Sequence, residues 1–366
     1  MGLNQMTPTD NDSGKPSFFI ERTLQIAKLN IDDGGRPFAC VIVDPVTNII
    51  LSETGNHVAQ TCDPTAHAEV LGIRLAAEER KRQSNHITVK SLYGLDFYIM
   101  ASPCAMCYGA MCLSAPHSIT FITTREDYSV YYSDPRKYFL FNDFYEQISK
   151  EFHQRRLPTK HYSEPKLKTK ALEILQLWKE DLNMKPTIEH IDCHNEDLTI
   201  RWFNRVLNLA RDNVLLHKGR PFACVITRGN ELIAESADQV DQLGDPTAHA
   251  EMQAIRSASQ KLHNEHMFDL QIYSLVMPSP MSLGAMYYCS PSQLTFLLHP
   301  SEYESIYLQP AAPKIPKLLD FYAEYGRKNE NRIVKMNQID NDIARKQGLE
   351  IYRRWKEINI DNQQKN

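Results

Sequence analysis

The chain is poor in cysteine, with eight in 366 residues, and this scarcity excludes the disulfide framework that holds small secreted folds together. It has no apolar stretch approaching the ~18 residues that span a bilayer, and no basic start followed by an apolar run. It lacks an excess of either charge: 41 Lys and Arg against 45 Asp and Glu leave a net charge of −4. Nothing in that balance requires a nucleic-acid partner. These absences lead to the expectation of a cytoplasmic protein with no membrane partner. In a reducing compartment Cys104 and Cys107 are better employed as thiolates than in a disulfide, whereas Cys40 and Cys224 read as buried packing.

What the chain does have is itself, twice. Gly35 to Ile42 (GRPFACVI) recurs at Gly219 to Ile226, and Asp63 to Glu69 (DPTAHAE) recurs at Asp245 to Glu251. The register continues: Asp143-Phe144-Tyr145 pairs with Asp320-Phe321-Tyr322, and Leu172-Glu173-Ile174 with Trp178 pairs with Leu349-Glu350-Ile351 with Trp355. A whole unit is therefore duplicated, each copy carrying its own closing helix. The expected division is a polar, disordered tail over 1–16, a first unit over 17–183, a linker over 184–196 and a second unit over 197–366.

Within the first unit, apolar spacing predicts a helix from Phe18 to Asn30 with a stop at Asp33-Gly34-Gly35. Phe38 to Val43 and Ile49 to Ser52 read as a hairpin. Asp63 is the expected cap, and Pro64 the first turn, of a helix running to about Arg80. A buried strand at Phe97 to Met100 leads into Ser102 as the cap of another helix, with Cys104 and Cys107 three apart on one face, and Ser118 to Thr123 reads as a further strand. The fold class that follows is α/β: two tandem three-layer α/β/α units, each with a central sheet.

His67-Ala68-Glu69 followed by Pro103-Cys104-Ala105-Met106-Cys107 is the pattern on which chemistry can be argued. Alone, a Cys-x-x-Cys is equally a redox pair or half of a structural zinc site. Together and in order, the residues match the His-x-Glu and Pro-Cys-x-x-Cys signature of zinc deaminases. One imidazole and two thiolates suit Zn²⁺ and leave a fourth tetrahedral position for water, whose pKa the ion lowers toward ~7. Glu69 is then the expected proton carrier. Residues two apart on a helix diverge by ~200°, so His67 and Glu69 can converge only off the helix tip.

The second copy keeps His249 and Glu251 but places Ser279 and Ser282 where the thiolates stand, and a neutral hydroxyl is a poor zinc ligand. The expectation is one Zn²⁺ per chain and an inactive second unit retained as a scaffold. Cys289 offers no rescue, since by register it matches Ser114.

Gly35 to Val43, Gly55-Asn56-His57-Val58, Asp63 to Val70 and Pro103 to Ala110 together resemble the bacterial guanine deaminases, members of the cytidine-deaminase-like superfamily of CMP/dCMP-type zinc enzymes. The resemblance implies zinc on His67, Cys104 and Cys107, Glu69 as proton shuttle, a mixed sheet in each unit, and a substrate pocket with Asn56, Phe38 and Ala68. Asp134 is the nearest match for the family's acidic base-recognition residue and is equally a turn former before Pro135. The alternatives for Asn56 and Phe38 are a turn residue and a core residue; in the second copy Asp238 takes the place of Asn56.

Subunits pair in these families, so the tandem chain resembles a covalent pseudo-dimer, open to further self-association. The implied reaction is hydrolytic deamination of a purine base or nucleoside, foremost guanine to xanthine and ammonia. Adenosine deaminases acting on transfer RNA share the same motifs, and residues 150–170 hold seven Lys or Arg against two Asp or Glu, a stretch able to meet phosphates. Cytosine or cytidine deamination and a silent binding scaffold are the remaining expectations.

Overall fold

A computed structural model describes residues 16–84, 88–131, 144–179, 191–193, 197–303, 305–306, 318–328, 331–334, 336–338 and 340–365. Asp134, most of the expected linker and the polar tail up to residue 15 lie outside them. The first half runs α1 (Pro16–Asp32), β1 (Arg36–Val43), β2 (Ile50–Asn56), α2 (Val58–Thr61), α3 (Ala68–Gln83), β3 (Asp96–Ala101), α4 (Ala105–Leu113), β4 (Ser118–Thr123), α5 (Arg125–Ser129), α6 (Phe144–Ser149), β5 (Thr159–His161) and α7 (Pro165–Lys179). The second runs α8 (Leu198–Leu215), β6 (Ala223–Arg228), β7 (Glu231–Ala237), α9 (Val240–Leu243), α10 (Ala250–Leu262), β8 (Gln271–Val276), α11 (Pro280–Cys289), β9 (Gln293–Leu298), α12 (Pro300–Tyr303), α13 (Leu318–Gly326), β10 (Met336–Gln338) and α14 (Asp342–Lys365).

Two mixed sheets result, ordered β10-β4-β3-β1-β2 and β5-β9-β8-β6-β7. Strand alternation assigns the faces. Ala39, Val41 and Val43 of β1, with Tyr98 and Met100 of β3, pack on α1 and α14, whereas Cys40, Ile42, Phe97 and Ile99 face α3 and α4. The second sheet repeats this, with Ala223, Val225, Tyr273 and Leu275 toward α7 and α8. Its other face joins Cys224, Ile226 and Ile272 to the same apolar core as Cys40 and Ile42. Two three-layer α/β/α units thus share one core, and α3, α4, α10 and α11 fill the space between the sheets.

The closest crossing is antiparallel, α4 on α11. A methyl group added to Gly284 would stand 2.7 Å from the Met106 backbone, and one added to Gly109 would stand 2.9 Å from Met281 Cα. Only a residue without Cβ allows backbones that near.

The repeats do not close on themselves. β10, from the second half, is the parallel edge of the first sheet, pairing Met336 with Ile119 and Gln338 with Phe121. β5, from the first half, is the edge of the second sheet, pairing Thr159 with Leu294 and His161 with Phe296. The closing helices cross with them: Leu167, Ala171, Ile174 and Leu175 of α7 are buried with α8. Tyr352 of α14 is buried in the first unit, its hydroxyl 2.9 Å from Thr123 Oγ1. The expectation that each copy keeps its own closing helix gives way to a reciprocal exchange. The helices are where the repeat places them in sequence, but each lies on the neighbouring unit.

Candidate metal centre and active site

The site is assembled by two helix starts that differ from expectation. α3 begins at Ala68 rather than at Pro64, because Asp63 Oδ1 accepts both the Thr65 N–H and hydroxyl at 2.8 Å and closes a separate turn. His67 is left as the cap residue with extended backbone, φ −66° and ψ 150°, and Glu69 falls in the first helical turn. The two side chains can therefore converge beyond the helix tip, as their spacing demands. Cys104, not Ser102, caps α4; its sulfur accepts the Cys107 N–H at 3.4 Å, as a capping oxygen would.

His67 Nδ1 lies 3.7 Å from Cys104 Sγ and 3.5 Å from Cys107 Sγ, and the three ligand atoms all fall within 4.8 Å of one another. A tetrahedral zinc with Zn–S of ~2.3 Å and Zn–N of ~2.05 Å separates sulfur from nitrogen by ~3.6 Å. The donor set therefore fits Zn²⁺ in type and spacing. Among the described residues it is the one cluster of His, Cys, Asp and Glu with that property.

Glu69 Oε2 accepts a hydrogen bond from Cys107 Sγ at 3.3 Å. Burial raises its pKa to about 7, the nearby Cys104 sulfur adding to the rise while His67 and the Cys107 bond oppose it. The thiols divide. Burial pushes Cys104 up, but bonds from Cys107, His67 and Tyr288 and the charge of His67 together hold it well below the ordinary thiol range. Burial, the Cys104 sulfur and Glu69 push Cys107 well above that range.

Of the residues expected around a substrate, Ala68 lies between His67 and Glu69 at the start of α3 and Asn56 ends the neighbouring β2, while Phe38 packs with the cluster on the α1 and α14 side of the sheet and Asp134 lies outside the described residues. Asn56 is 2% exposed, and its Oδ1 accepts the Val58 N–H at 3.2 Å. Ala68 is buried, and its carbonyl accepts from Thr54 Oγ1 at 2.7 Å. Phe38 meets Tyr128 and Tyr352 with ring centroids 5.3 and 5.6 Å apart.

Several neighbours stand outside the sequence motifs. Tyr352 and Tyr288 arrive from the second half; the Tyr288 ring lies 4.5 Å from that of His67, and its hydroxyl helps to lower the Cys104 pKa. The Arg125 guanidinium lies 5.1 Å from the Tyr145 ring centroid, and the Tyr145 hydroxyl donates to the Pro103 carbonyl at 2.9 Å. A signal for the two distant tyrosines exists in the repeat. By register Leu113 is the counterpart of Tyr288, and Leu175 of Tyr352.

The second copy reproduces the frame without the sulfurs. Ser279 Oγ lies 3.4 Å from His249 Nδ1 and donates to Ser282 Oγ at 3.2 Å, while Ser282 and Ser274 donate to Glu251 at 3.2 and 2.8 Å. Burial drops His249 to about 3, with Arg220 and Arg256 adding to the fall, and raises Glu251. Asp238 caps the Val240 N–H at 3.1 Å, as Asn56 does for Val58.

A mixed sheet with His at one helix start, two Cys at the next and a buried carboxylate between them defines the zinc-dependent deaminase class of fold and site. A family model for the cytidine and deoxycytidylate deaminase zinc-binding region matches residues 14–123 and again 198–298. The chain belongs to that family and carries its region twice. Guanine deaminase of Bacillus subtilis (strain 168) is 37% identical over 95 residues, covering 26% of this chain and 61% of that protein. A tRNA-specific adenosine deaminase of Aquifex aeolicus is 33% identical over 104 residues, covering 28% and 63%. The chain thus spans a little over three fifths of the length of these curated relatives. The X-ray structure of guanine deaminase from Bacillus subtilis shares 26% identity, covers 45% of this chain and 95% of its own, and has a TM-score of 0.39. No helix among the described residues is long and apolar enough to cross a membrane.

Proposed function

We propose that the first unit hydrolyses the exocyclic amine of a free purine base or nucleoside, guanine foremost, giving the oxo product and ammonia. The observation that carries this reading is the convergence of His67, Cys104 and Cys107 beside the buried Glu69 carboxylate. His67, Cys104 and Cys107 would hold Zn²⁺, whose charge would make water acidic enough to act as hydroxide near neutrality. Glu69, buried beside them, accepts one proton from the attacking water and delivers it to the ring nitrogen, and the second proton of that water leaves with the amine as ammonia. The sum is one water consumed and one C–N bond exchanged for C=O.

Substrate contacts follow from the walls. Asn56 Nδ2 donates to a base edge, and Phe38 with Tyr128 and Tyr352 forms an aromatic side against which a purine stacks. The likeness to guanine deaminase supports guanine over other amines. The second unit has no turnover of its own and serves as the covalent pseudo-dimer partner of the first, in a cytoplasmic protein.

Three of the seven cations in the basic stretch are already engaged within the protein, which weakens the RNA reading. Lys150 pairs with Glu146 at 2.9 Å and Lys168 with Glu302 at 2.7 Å, and Arg155 is buried, bonded to the Lys150 and Ile148 carbonyls. An ammonia-release screen of the zinc-loaded protein across guanine, guanosine, cytosine, adenine and pterins tests the proposal. Release from guanine or guanosine that disappears in Glu69→Gln is expected; no release from any amine would leave the silent scaffold as the better account.

A further inference from the structure

We propose that Tyr288, which belongs to the copy without thiolates, is a positioning residue of the metal centre in the other copy. Three observations meet at this side chain. It is the penultimate residue of α11, and the antiparallel crossing at Gly109 and Gly284 brings that end of α11 to the start of α4, where Cys104 stands. Its ring lies edge-on against His67, with centroids 4.5 Å apart and planes at 64°. Its hydroxyl acts on Cys104, helping to hold that thiol well below its ordinary range. One residue therefore holds two of the three ligands, and it is 5% exposed.

The histidine has need of such a hold. A metal-binding imidazole ordinarily gives its second N–H to a carboxylate or carbonyl, which fixes the ring. Here Nδ1 faces the sulfurs and Nε2 is buried with no hydrogen-bond partner among the described residues. An aromatic wall takes over the orienting role, confining the ring by contact. At Cys104 the phenol hydroxyl would draw electron density from the sulfur and so tune an ion held there.

The repeat itself supplies the contrast. Leu113, the counterpart of Tyr288 in the first copy, has no hydroxyl to give, and the serines of the second copy have no metal to hold. The copy that lost its thiolates thus carries the tyrosine that serves the surviving centre. This assignment concerns the ion alone, so the choice of substrate can fail without it.

The test uses the full chain. Zinc affinity is measured by competition with a chromophoric chelator, and Co²⁺ is substituted so that the sulfur-to-cobalt charge-transfer band reports on Cys104. Tyr288→Phe keeps the ring and removes only the hydroxyl; zinc binding is expected to weaken by about tenfold to a hundredfold, and the band to move to lower energy. Tyr288→Leu removes the ring as well and is expected to weaken binding further. Tyr287→Phe is the control: the same change one residue earlier, where the hydroxyl donates to Gln147 at 3.1 Å across the interface. It is expected to lower stability and leave band and affinity unchanged. A Tyr288→Phe protein with the original band and affinity overturns the proposal, as does a Tyr287→Phe protein that shifts both equally.

Discussion

The two copies hold one backbone frame and two chemistries. Each sets a histidine at a helix cap, a buried glutamate two residues on, and two short side chains at the next helix start. The sulfur of Cys107 meets Glu69 at 3.3 Å and the hydroxyl of Ser282 meets Glu251 at 3.2 Å. What differs is how the polar atoms are satisfied. Ser279, Ser282 and Ser274 close a hydrogen-bonded chain on His249 and Glu251. The first leaves three donor atoms aimed at one point.

The comparison breaks most decisively if the chemistries are exchanged. Cys104→Ser with Cys107→Ser copies the second site into the first and is expected to abolish zinc binding and all turnover; the reciprocal Ser279→Cys with Ser282→Cys is expected to raise metal content toward two ions per chain. Atomic absorption on the purified proteins reads both. Next in size, Glu69→Gln is expected to cut turnover by roughly 10²- to 10⁴-fold while zinc content stays the same. Glu251→Gln, at the matching position, leaves turnover unchanged.

The shared core gives an intermediate effect. Gly284→Ala puts a methyl 2.7 Å from the Met106 backbone and is expected to destabilise the protein by about 1–3 kcal/mol, read as a lower midpoint in urea.

The smallest effect concerns the Asn56 and Asp238 pair. Burial raises Asp238 from 3.8 to about 7, with Asp241 and Glu251 adding to the rise while Arg220 and the Val240 N–H oppose it. A carboxyl that holds its proton more tightly folded than unfolded contributes most below its unfolded pKa, and that contribution is lost as pH rises through the folded value. Asp238→Asn restores the residue of the first copy and removes this loss. Its gain in melting temperature should therefore grow between pH 5 and pH 8; a gain that is flat across that range would contradict the assignment.

Much of this is legible in the sequence because it is local. The duplication is literal text, and the ligand motif needs only two helix starts, so spacing alone gathers His67, Glu69, Cys104 and Cys107. The helix starts fall a few residues from their expected places because Asp63-Pro64 and Ser102-Pro103 imitate caps; the true caps, His67 and Cys104, are poor capping residues by type and are held in place by tertiary contacts. The exchange is not legible. β5 and β10 are three-residue edge strands, and a closing helix reads identically whether it folds back or crosses over. Tyr288 and Tyr352 escape for the same reason, although each breaks the repeat at a position where its counterpart is leucine.

The crossed edges also set a timetable for synthesis. A ribosome releases β4, ending at Thr123, long before it makes Met336 to Gln338 and the helix that carries Tyr352. Until then the amino-terminal sheet has a bare margin and its ligand cluster lacks the walls that the later half provides. The first sheet must wait for residues 336–352, and a protein truncated before that point carries the whole motif with the first sheet still unfinished.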